Sequence, residues 1–338
     1  MSRFHKIFIT NLPSFYKVNL YNRINREKPI FVIFTGDTAN VRNMNFFDET
    51  IEFKYADLKD CSKLRRIFKS IHILRKNQYD ELVISGVSEL IYWICAFMFP
   101  YRKNASVCES SYLESPVTGL KGFLKRLYIK RISRIYASGA AQEKLVRLLE
   151  FKGEVVITKG VGVFNYIKQP PYVERKSVQN FLYVGRLSPE KNLEFLIKVF
   201  NGLPNYTLNI IGFGPLEQEL KAIAGSNIVF HGAVDNKDLY KHYQANDVFT
   251  LPSISEPWGL VVEEALNNGL PVIVSDRVGC GEEIIDASNG LVFVYNDAHS
   301  LQRVIGKMSN VEYYNRLRFN ISKSDFAQVE QEQINCYL

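Results

Sequence analysis

Two glutamates flank a Pro-x-Gly turn near the C-terminal end, in the segment Ser255-Glu256-Pro257-Trp258-Gly259-Leu260-Val261-Val262-Glu263-Glu264-Ala265. Ser255 and Pro257 predict the start of a helix here, because serine caps helix N-termini and proline suits the first turn. The N–H groups near Gly259 and Leu260 then point outward and attract an anion. Gly259 also lets a ligand approach the backbone closely. The segment therefore suits a ligand with one anionic group surrounded by hydroxyls, such as a sugar nucleotide.

Two cations and two glycines follow strand candidates earlier in the same half. Arg186 and Lys191 can converge on one cleft and neutralise a diphosphate without a metal, arginine as a bidentate fork and lysine as a movable charge. The alternative is that one of them forms a surface ion pair, for which Glu190 is available. Gly212 and Gly214 allow close approach to a nucleotide, although a Gly-x-Gly pair also occurs in simple turns.

Composition and length favour a two-domain protein of a reducing compartment. The chain has 338 residues, of which 46% are hydrophobic, so it can bury a large core. No N-terminal signal peptide is indicated. The longest apolar run, Leu90 to Phe99, is shorter than the roughly 20 residues that span a bilayer and predicts a buried helix. The five cysteines show no C-x-x-C spacing and the five histidines no metal-ligand spacing, so we expect a cytoplasmic protein without disulfides or zinc.

The net charge of +7 is unevenly distributed along the chain. Residues 1–165 contain 27 Lys and Arg against 15 Asp and Glu, whereas residues 166–338 contain 15 against 20. The bases concentrate in two stretches, residues 63–69 and 121–134, and the second has helical spacing. Such a helix suits an anionic membrane surface or another anionic partner. It is equally consistent with a core helix that has a solvated basic face. Nucleic acid is not expected, because no recognised binding module accompanies the charge.

Both halves alternate short apolar runs with helical segments, as βαβ units do. The strand candidates of the first half are Lys6–Thr10, Ile30–Thr35, Glu81–Ser85, Ser106–Glu109, Arg134–Ser138 and Glu154–Thr158. Those of the second half are Asn180–Val184, Thr207–Ile211, Ile228–Phe230, Asp247–Leu251, Pro271–Ser275 and Leu291–Val294. A polar stretch with two prolines, residues 169–177, separates the two series and is the best linker candidate.

Several ordered motifs of the second half resemble those of the retaining GT4 glycosyltransferases. They are the Glu-x7-Glu element described above, Asn268-Gly269-Leu270-Pro271-Val272 after it, Gly185-Arg186 with Lys191, Gly212-Phe213-Gly214-Pro215, and His231-Gly232-Ala233-Val234. The resemblance implies an α/β protein of GT-B fold, with two Rossmann-like domains facing a central cleft. The expected boundaries are an acceptor domain at 1–165, a linker at 166–178, a donor domain at 179–312 and a C-terminal helix at 313–338 that crosses back to the first domain.

The resemblance also implies roles for single residues. Arg186, Lys191 and Glu256 are the expected catalytic residues, with Glu256 on the hydroxyls of the donor sugar. Glu264 is expected to hold the ribose hydroxyls. The other expected donor contacts are Gly185, Gly212, Phe213, Gly214, Val234, Pro257, Trp258, Gly259 and Leu260. Glu263 is interpreted as part of a solvated helix face, and Asp276 as a residue that caps or packs a turn.

The first half resembles the family less closely. Residues 11–18 are similar to the loop that faces the acceptor, but they lack the Gly-Gly pair that some members place on the donor phosphate. No histidine stands where some relatives present one near the reacting centre. The expected acceptor contacts are Ser14, Tyr16, Glu109 and Ser110, and for Glu109 a role as a capping acid is an equal alternative.

The predicted activity is transfer of a hexose, with retention, from a nucleotide-sugar to a glycan hydroxyl. UDP is favoured over GDP, and the acceptor is expected to be lipid-linked, in capsule or O-antigen assembly. No cofactor and no metal are expected, because the nucleotide-sugar is a substrate. The basic first domain favours a peripheral position on the inner face of the plasma membrane. Two alternatives stay open, another GT-B enzyme such as a sugar-nucleotide epimerase and a catalytically silent GT-B scaffold.

Overall fold

The computed structural model describes residues 2–36, 49–164 and 167–338. The chain divides into two compact units, one made of Met1–Val163 with Ala327–Leu338 and the other of Phe164–Phe326. Each unit contains one β-sheet whose strand pairs are all parallel. Among the helices of the described residues, none combines the length and hydropathy needed to span a membrane.

The sheet of the first unit has the strand order β3-β2-β1-β4-β5-β6-β7. Its strands are β1 (Arg3–Thr10), β2 (Ile30–Phe34), β3 (Lys54–Asp57), β4 (Gln78–Ile84), β5 (Asn104–Cys108), β6 (Arg134–Ala137) and β7 (Glu154–Ile157). The helices between them are α1 (Phe15–Glu27), α2 (Lys63–Lys76), α3 (Leu90–Met98), α4 (Gly119–Ile129) and α5 (Ala140–Leu148).

Helices cover both faces of this sheet, which explains the continuous apolar runs of its central strands. In β1, Ile7, Phe8 and Ile9 are all buried. Ile7 and Ile9 belong to the core formed with α2 to α5, whereas Phe8 belongs to the core formed with α1. Right-handed crossovers produce this division, because the connection from β1 to β2 and those from β4 onward run in opposite directions along the sheet.

The second unit has a sheet with the strand order β10-β9-β8-β11-β12-β13. Its strands are β8 (Asn180–Val184), β9 (Thr207–Ile211), β10 (Ile228–Gly232), β11 (Val248–Leu251), β12 (Val272–Ser275) and β13 (Gly290–Phe293). Its helices are α6 (Leu193–Asn201), α7 (Glu217–Ile223), α8 (Leu239–Ala245), α9 (Leu260–Asn267), α10 (Gly281–Ile284), α11 (Ala298–Met308) and α12 (Val311–Ile321). Asp297 and Asn310 cap α11 and α12 by accepting hydrogen bonds from backbone N–H groups three residues on.

The C-terminal prediction needs a correction. The sequence predicts that residues 313–338 return to the first domain, yet α12 belongs to the second unit. The Tyr314 hydroxyl donates to the Asp247 carbonyl (2.9 Å), and the Asn315 side chain exchanges two 2.9 Å hydrogen bonds with the backbone of Arg175. Only the segment with α13 (Phe326–Asn335) packs on the first unit, where the Tyr337 ring stacks on Tyr136. Of the predicted linker, 166–178, residue 166 lies outside the described residues, and residues 167–178 lie within the second unit.

The predicted strands are confirmed to within three residues at each end, and among the described residues one strand was missed. The missed strand, β3, has the sequence KYAD and lies at the edge of the sheet with most of its residues exposed. An edge strand has one open side and does not need an apolar run, so it gives a weak sequence signal. Its pairing with β2 becomes visible only in the folded sheet.

A buried ion pair in the first sheet gives a test of the fold. Lys6 and Glu81 are register partners on β1 and β4, with Nζ 2.6 Å from Oε2, and both side chains are largely buried. We expect Glu81→Gln to lower the free energy of unfolding by about 3 kcal/mol, because the Lys6 charge loses its buried counter-charge. Asp80→Asn, which breaks the exposed ion pair with Arg3, should change it by less than about 1 kcal/mol. Urea unfolding measures both, and equal effects would contradict the assignment.

Candidate active site

The predicted donor residues of the second unit follow four strands that are neighbours in one parallel sheet. In the strand order β10-β9-β8-β11, the carboxyl ends of all four strands lie at the same edge. The chain proceeds from β8 outward to β9 and β10 and then returns to β11 on the other side of β8. Ligands of open parallel sheets bind at such a reversal point, outside the carboxyl ends of the strands.

The loop after β8 carries the two predicted cations, Arg186 and Lys191. Its first turn is held by the Tyr183 hydroxyl, which donates to the Arg186 carbonyl (2.8 Å) from a buried position. The Arg186 guanidinium is exposed and contacts Glu190 at 3.2 Å, which is the ion pair considered as an alternative in the sequence. Lys191 ends a short 3-10 turn, Pro189–Lys191, and its side chain points to another loop.

Lys191 forms an ion pair with Glu256, the first glutamate of the Glu-x7-Glu element. The two side chains are only 14% and 13% exposed, so water screens this pair much less than a surface pair. A backbone hydrogen bond from the Ile254 N–H to the Glu190 carbonyl (3.0 Å) holds the same two loops together. Two of the three predicted catalytic residues are therefore in direct contact.

The glycines after β8 and β9 allow these two loops to pack backbone against backbone. Gly212 has a φ of +137°, and a Cβ there would lie 1.8 Å from the Gly185 carbonyl oxygen. A Cβ on Gly214 would lie 2.4 Å from the Leu187 carbonyl oxygen. The Gly-Phe-Gly turn is thus required for loop packing, whatever ligand it meets. Phe213 is half-buried between the two glycines, and Val234 follows β10 at the same edge of the sheet.

Helix α9 begins later than the sequence predicts. Ser255 is not its N-cap, because Glu256 forms a parallel bridge with Val278 and accepts a hydrogen bond from the Gly279 N–H (2.8 Å). These contacts hold the Pro257 turn extended until Gly259, whose φ is +105°, and the helix starts at Leu260. The Val262 N–H donates to the Gly259 carbonyl (2.8 Å), whereas the N–H groups of Leu260 and Val261 precede the first hydrogen bond of the helix and remain suited to an anion.

The interpretation of Glu263 as solvated is wrong, because Trp258 and Glu263 are buried together behind the turn. Trp258 is 2% exposed, and its indole N–H donates to Glu263 Oε2 (3.0 Å). Burial raises the pKa of Glu263 to about 8. The Trp258 ring therefore supports the turn from behind and presents no face to a ligand.

Glu264 is half-buried and accepts a hydrogen bond from the Tyr243 hydroxyl (2.9 Å). Burial raises the pKa of this carboxyl to about 7, so a ligand with hydroxyl groups meets an acid that is close to its titration point. Asp276 accepts a hydrogen bond from the Tyr295 N–H (3.1 Å), which confirms its predicted role in a turn.

The first unit contains a cavity of about 270 Å³ at the carboxyl ends of β4 and β5. Glu109 and Ser110, two of the predicted acceptor residues, line it, whereas Ser14 and Tyr16 do not. The Lys17 ammonium contacts Glu109 Oε1 at 3.1 Å from a buried position. This contact fixes the direction of the Glu109 carboxylate at the cavity wall.

A sequence model of the family described as glycosyl transferases group 1 matches residues 168–323. The O-antigen biosynthesis glycosyltransferase WbnH of Escherichia coli is 34% identical over 283 residues, which span 80% of this chain and 79% of that protein. The chain belongs to the group 1 glycosyltransferases. An uncharacterised 41.2 kDa protein of the cps region of Klebsiella pneumoniae is 34% identical over 270 residues, 73% of this chain and 74% of that protein.

Solved structures show the fold of this glycosyltransferase. The apo form of the lipopolysaccharide outer core galactosyltransferase WaaB has a TM-score of 0.70 at 16% identity and covers 98% of both chains. Alr3699/HepE of Anabaena, in complex with UDP and glucose, has a TM-score of 0.72 at 15% identity and covers 97% of both. Two units with parallel Rossmann-like sheets and this similarity define the GT-B fold.

Sequence reasoning missed several residues of this glycosyltransferase that position the named ones. Tyr183 and Tyr243 give no signal, because a tyrosine at the end of a strand or inside a helix has the same pattern as any core residue. Lys17 is on the buried face of α1. A charged residue among apolar helix neighbours needs a partner of opposite charge, and this pattern is the signal from which its contact could have been predicted.

The buried acid behind the turn predicts a pH dependence of stability. The native Glu263 carboxyl keeps its proton to about pH 8, whereas the unfolded one loses it near its ordinary pKa of 4.5. The native state thus holds more protons between these values, and stability falls as the pH rises through this interval. We expect Glu263→Gln, relative to the wild type, to gain about 3–4 kcal/mol between pH 5 and pH 8. Urea unfolding at both pH values measures this, and parallel pH profiles would contradict it.

Proposed function

We propose that this glycosyltransferase moves a hexose from a UDP-sugar, with retention and without a metal, to a hydroxyl of a lipid-linked glycan. The observation that carries the proposal is the contact between Lys191 and Glu256 where the strand order reverses. A cation and a carboxylate held side by side suit a ligand that has a diphosphate next to a sugar. The relatives named for O-antigen biosynthesis and the cps region support envelope polysaccharide assembly as the context.

The cations stabilise the charge that develops on the leaving diphosphate. Arg186 and Lys191 supply two positive charges, and the first turn of α9 supplies N–H groups, all placed before the reaction begins. When the diphosphate arrives, Lys191 exchanges Glu256 for a phosphate oxygen. Glu256 is then able to accept hydrogen bonds from the hydroxyls of the donor sugar.

Retention follows when the acceptor attacks from the side on which the diphosphate departs. The C1–O bond to the diphosphate breaks, the acceptor oxygen forms the new bond to C1, and the acceptor proton passes to the departing phosphate oxygen. This path needs no protein base. It is consistent with the role assigned to Glu256 above, because that carboxylate turns to the hydroxyls of the donor sugar once Lys191 contacts the diphosphate.

The nucleoside is assigned to the other end of the same loops. The half-buried Glu264, which accepts a hydrogen bond from Tyr243, suits the two adjacent ribose hydroxyls. Uridine is favoured because the similar Alr3699/HepE structure contains UDP and glucose. A screen of UDP- and GDP-sugars, read as slow donor hydrolysis, tests this choice, and hydrolysis of GDP-sugars alone would overturn it.

The cations give the first activity test. We expect Lys191→Ala and Arg186→Ala each to lower turnover by about 10²–10³, because each removes charge that stabilises the leaving group. Lys198→Ala is the matched control, since Lys198 is an exposed lysine of the same unit that pairs only with Glu194 on α6. Thermal unfolding must show that all three variants are folded, and Lys191→Ala is expected to unfold at a lower temperature because it leaves the mostly buried Glu256 without its counter-charge. Near-normal turnover of both site variants would remove these residues from the mechanism.

The acceptor is assigned to the cavity of the first unit, where Glu109 is oriented by Lys17. We expect Glu109→Gln to raise the KM for the acceptor by about tenfold or more, because a charged hydrogen-bond acceptor is lost. Donor hydrolysis without acceptor should not change. Glu143→Gln, an exposed acid on α5 of the same unit, is the control. A loss of donor hydrolysis in Glu109→Gln with unchanged acceptor KM would place Glu109 on the donor.

A further inference from the structure

Three successive helices of the first unit, α2, α3 and α4, contain no acidic residue. Their sequences are KLRRIFKSIHILRK, LIYWICAFM and GLKGFLKRLYI. The short turn after α3, Tyr101–Lys103, adds two more bases. α2 and α4 carry basic residues only, and α3 carries no charge. A surface helix normally carries both signs of charge, so two helices with bases alone call for an anionic partner.

The same helices expose large apolar side chains. On α4, Leu120 is 73% exposed and Phe123 is 60% exposed, with Lys121 exposed between them. The other exposed apolar side chains of these helices are Leu64, Phe68, Leu90, Phe97, Met98, Leu124 and Leu127. We refer to these nine residues and the bases among them as the α2–α4 face.

The exposure of α4 decides between the two interpretations that its sequence allows. A core helix with a solvated basic face would bury its leucines. Instead α4 buries Gly122, Tyr128 and Ile129 and leaves its other apolar residues in water. Likewise α3, predicted as a buried helix, buries only one side and exposes Phe97 and Met98.

The three helices form one layer on one side of the sheet. α3 lies next to α2 and also contacts α4, because the Trp93 ring lies 5.3 Å from that of Tyr128. Trp93 in turn stacks on the exposed Phe97, and the Arg131 guanidinium lies over the Phe97 ring at 5.5 Å. Apolar and basic groups therefore alternate across these neighbouring helices. On an ordinary protein surface, exposed apolar residues are scattered singly and do not form such a patch.

We infer that the α2–α4 face binds the surface of an anionic lipid bilayer. The leucine and phenylalanine side chains enter the boundary between headgroups and acyl chains, and the lysines and arginines contact lipid phosphates above it. The inference rests on the proposed function, since it assigns to named helices the contact that a lipid-linked acceptor requires. Arg126 of α4 is paired with Glu150 at 3.3 Å, but the helices of this face contribute no acid of their own. A lipid surface with anionic headgroups matches this excess of bases better than a protein surface, which offers both acids and bases.

The second unit supplies internal controls. Residues 166–338 have more acids than bases, so that half offers no comparable attraction to anionic lipid. Val292 and Val294 are exposed, at and just beyond the end of β13, in this net acidic half of the chain. Replacing them tests whether any loss of exposed apolar surface changes binding.

The experiment is co-sedimentation of the full chain with phosphatidylcholine vesicles, with and without phosphatidylglycerol. We expect binding to the anionic vesicles at low salt, little to neutral ones, and loss at high salt. Leu120→Ser with Phe123→Ser should lower the partition coefficient by about tenfold or more, since both lose burial in the interface. Lys121→Gln with Lys130→Gln should lower it by a similar factor of about ten. Val292→Ser with Val294→Ser should leave it unchanged.

Each double variant is also assayed for donor hydrolysis without vesicles, which should match the wild type because none of these residues lies in the proposed site. Hydrolysis by a protein that binds no anionic vesicle overturns this inference and leaves the glycosyl transfer intact. Vesicle binding without hydrolysis of any donor would overturn the proposed transfer alone. Self-association of the wild type that the Leu120 and Phe123 changes abolish, without vesicle binding, would assign the face to a second copy of the chain.

Discussion

The candidate site depends on one ion pair, that of Lys191 with Glu256. The two residues come from loops after neighbouring strands, β8 and β11, and both are held by other contacts before they meet. Lys191 ends a 3-10 turn, and Glu256 is bridged to Val278. Because both side chains are mostly buried, their attraction is strong enough to orient them and leaves little water between them. Each charge therefore has a fixed position and one partner that a ligand can replace.

The loops around this ion pair pack closely against one another, backbone against backbone. A Cβ on Gly212 or Gly214 would collide with the loop after β8, and a Cβ on Gly279 would lie 1.9 Å from the Pro257 carbonyl oxygen. Behind the turn, the side chains of Trp258 and Glu263 fill the space, and the hydrogen bond between them holds both in place. Buried polar groups must be paired, so this contact also fixes how α9 begins.

The strand positions were predictable because parallel, doubly covered strands are apolar throughout, as Ile7 to Ile9 illustrate. The edge strand β3 was not predictable, because its sequence KYAD has no apolar run that would need to be buried in a sheet. The ordered motifs predicted that Arg186 and Lys191 lie at one edge of the sheet, and Glu190 was considered as an ion-pair partner, but the contact of Lys191 with Glu256 was not predicted. The predicted start of α9 was wrong, because a tertiary bridge at Glu256 overrides the capping preference of Ser255.

The orientation of α4 could not be predicted from the sequence either, because an amphipathic pattern does not show which side of the helix meets the core.

The charge of each half illustrates why pairing matters more than totals. The second half is net acidic, which by itself argues against an anionic donor. In the proposed mechanism its two site cations are nevertheless available, because a diphosphate replaces the carboxylates of Glu190 and Glu256 as their partner. The excess bases of the first half have a different setting. Those on α2 and α4 have no acid on the same helix to balance them, so their field extends into solvent. A cation that is paired with a carboxylate selects a ligand by direct contact. An excess of unpaired bases attracts an anionic surface from a distance of about a Debye length.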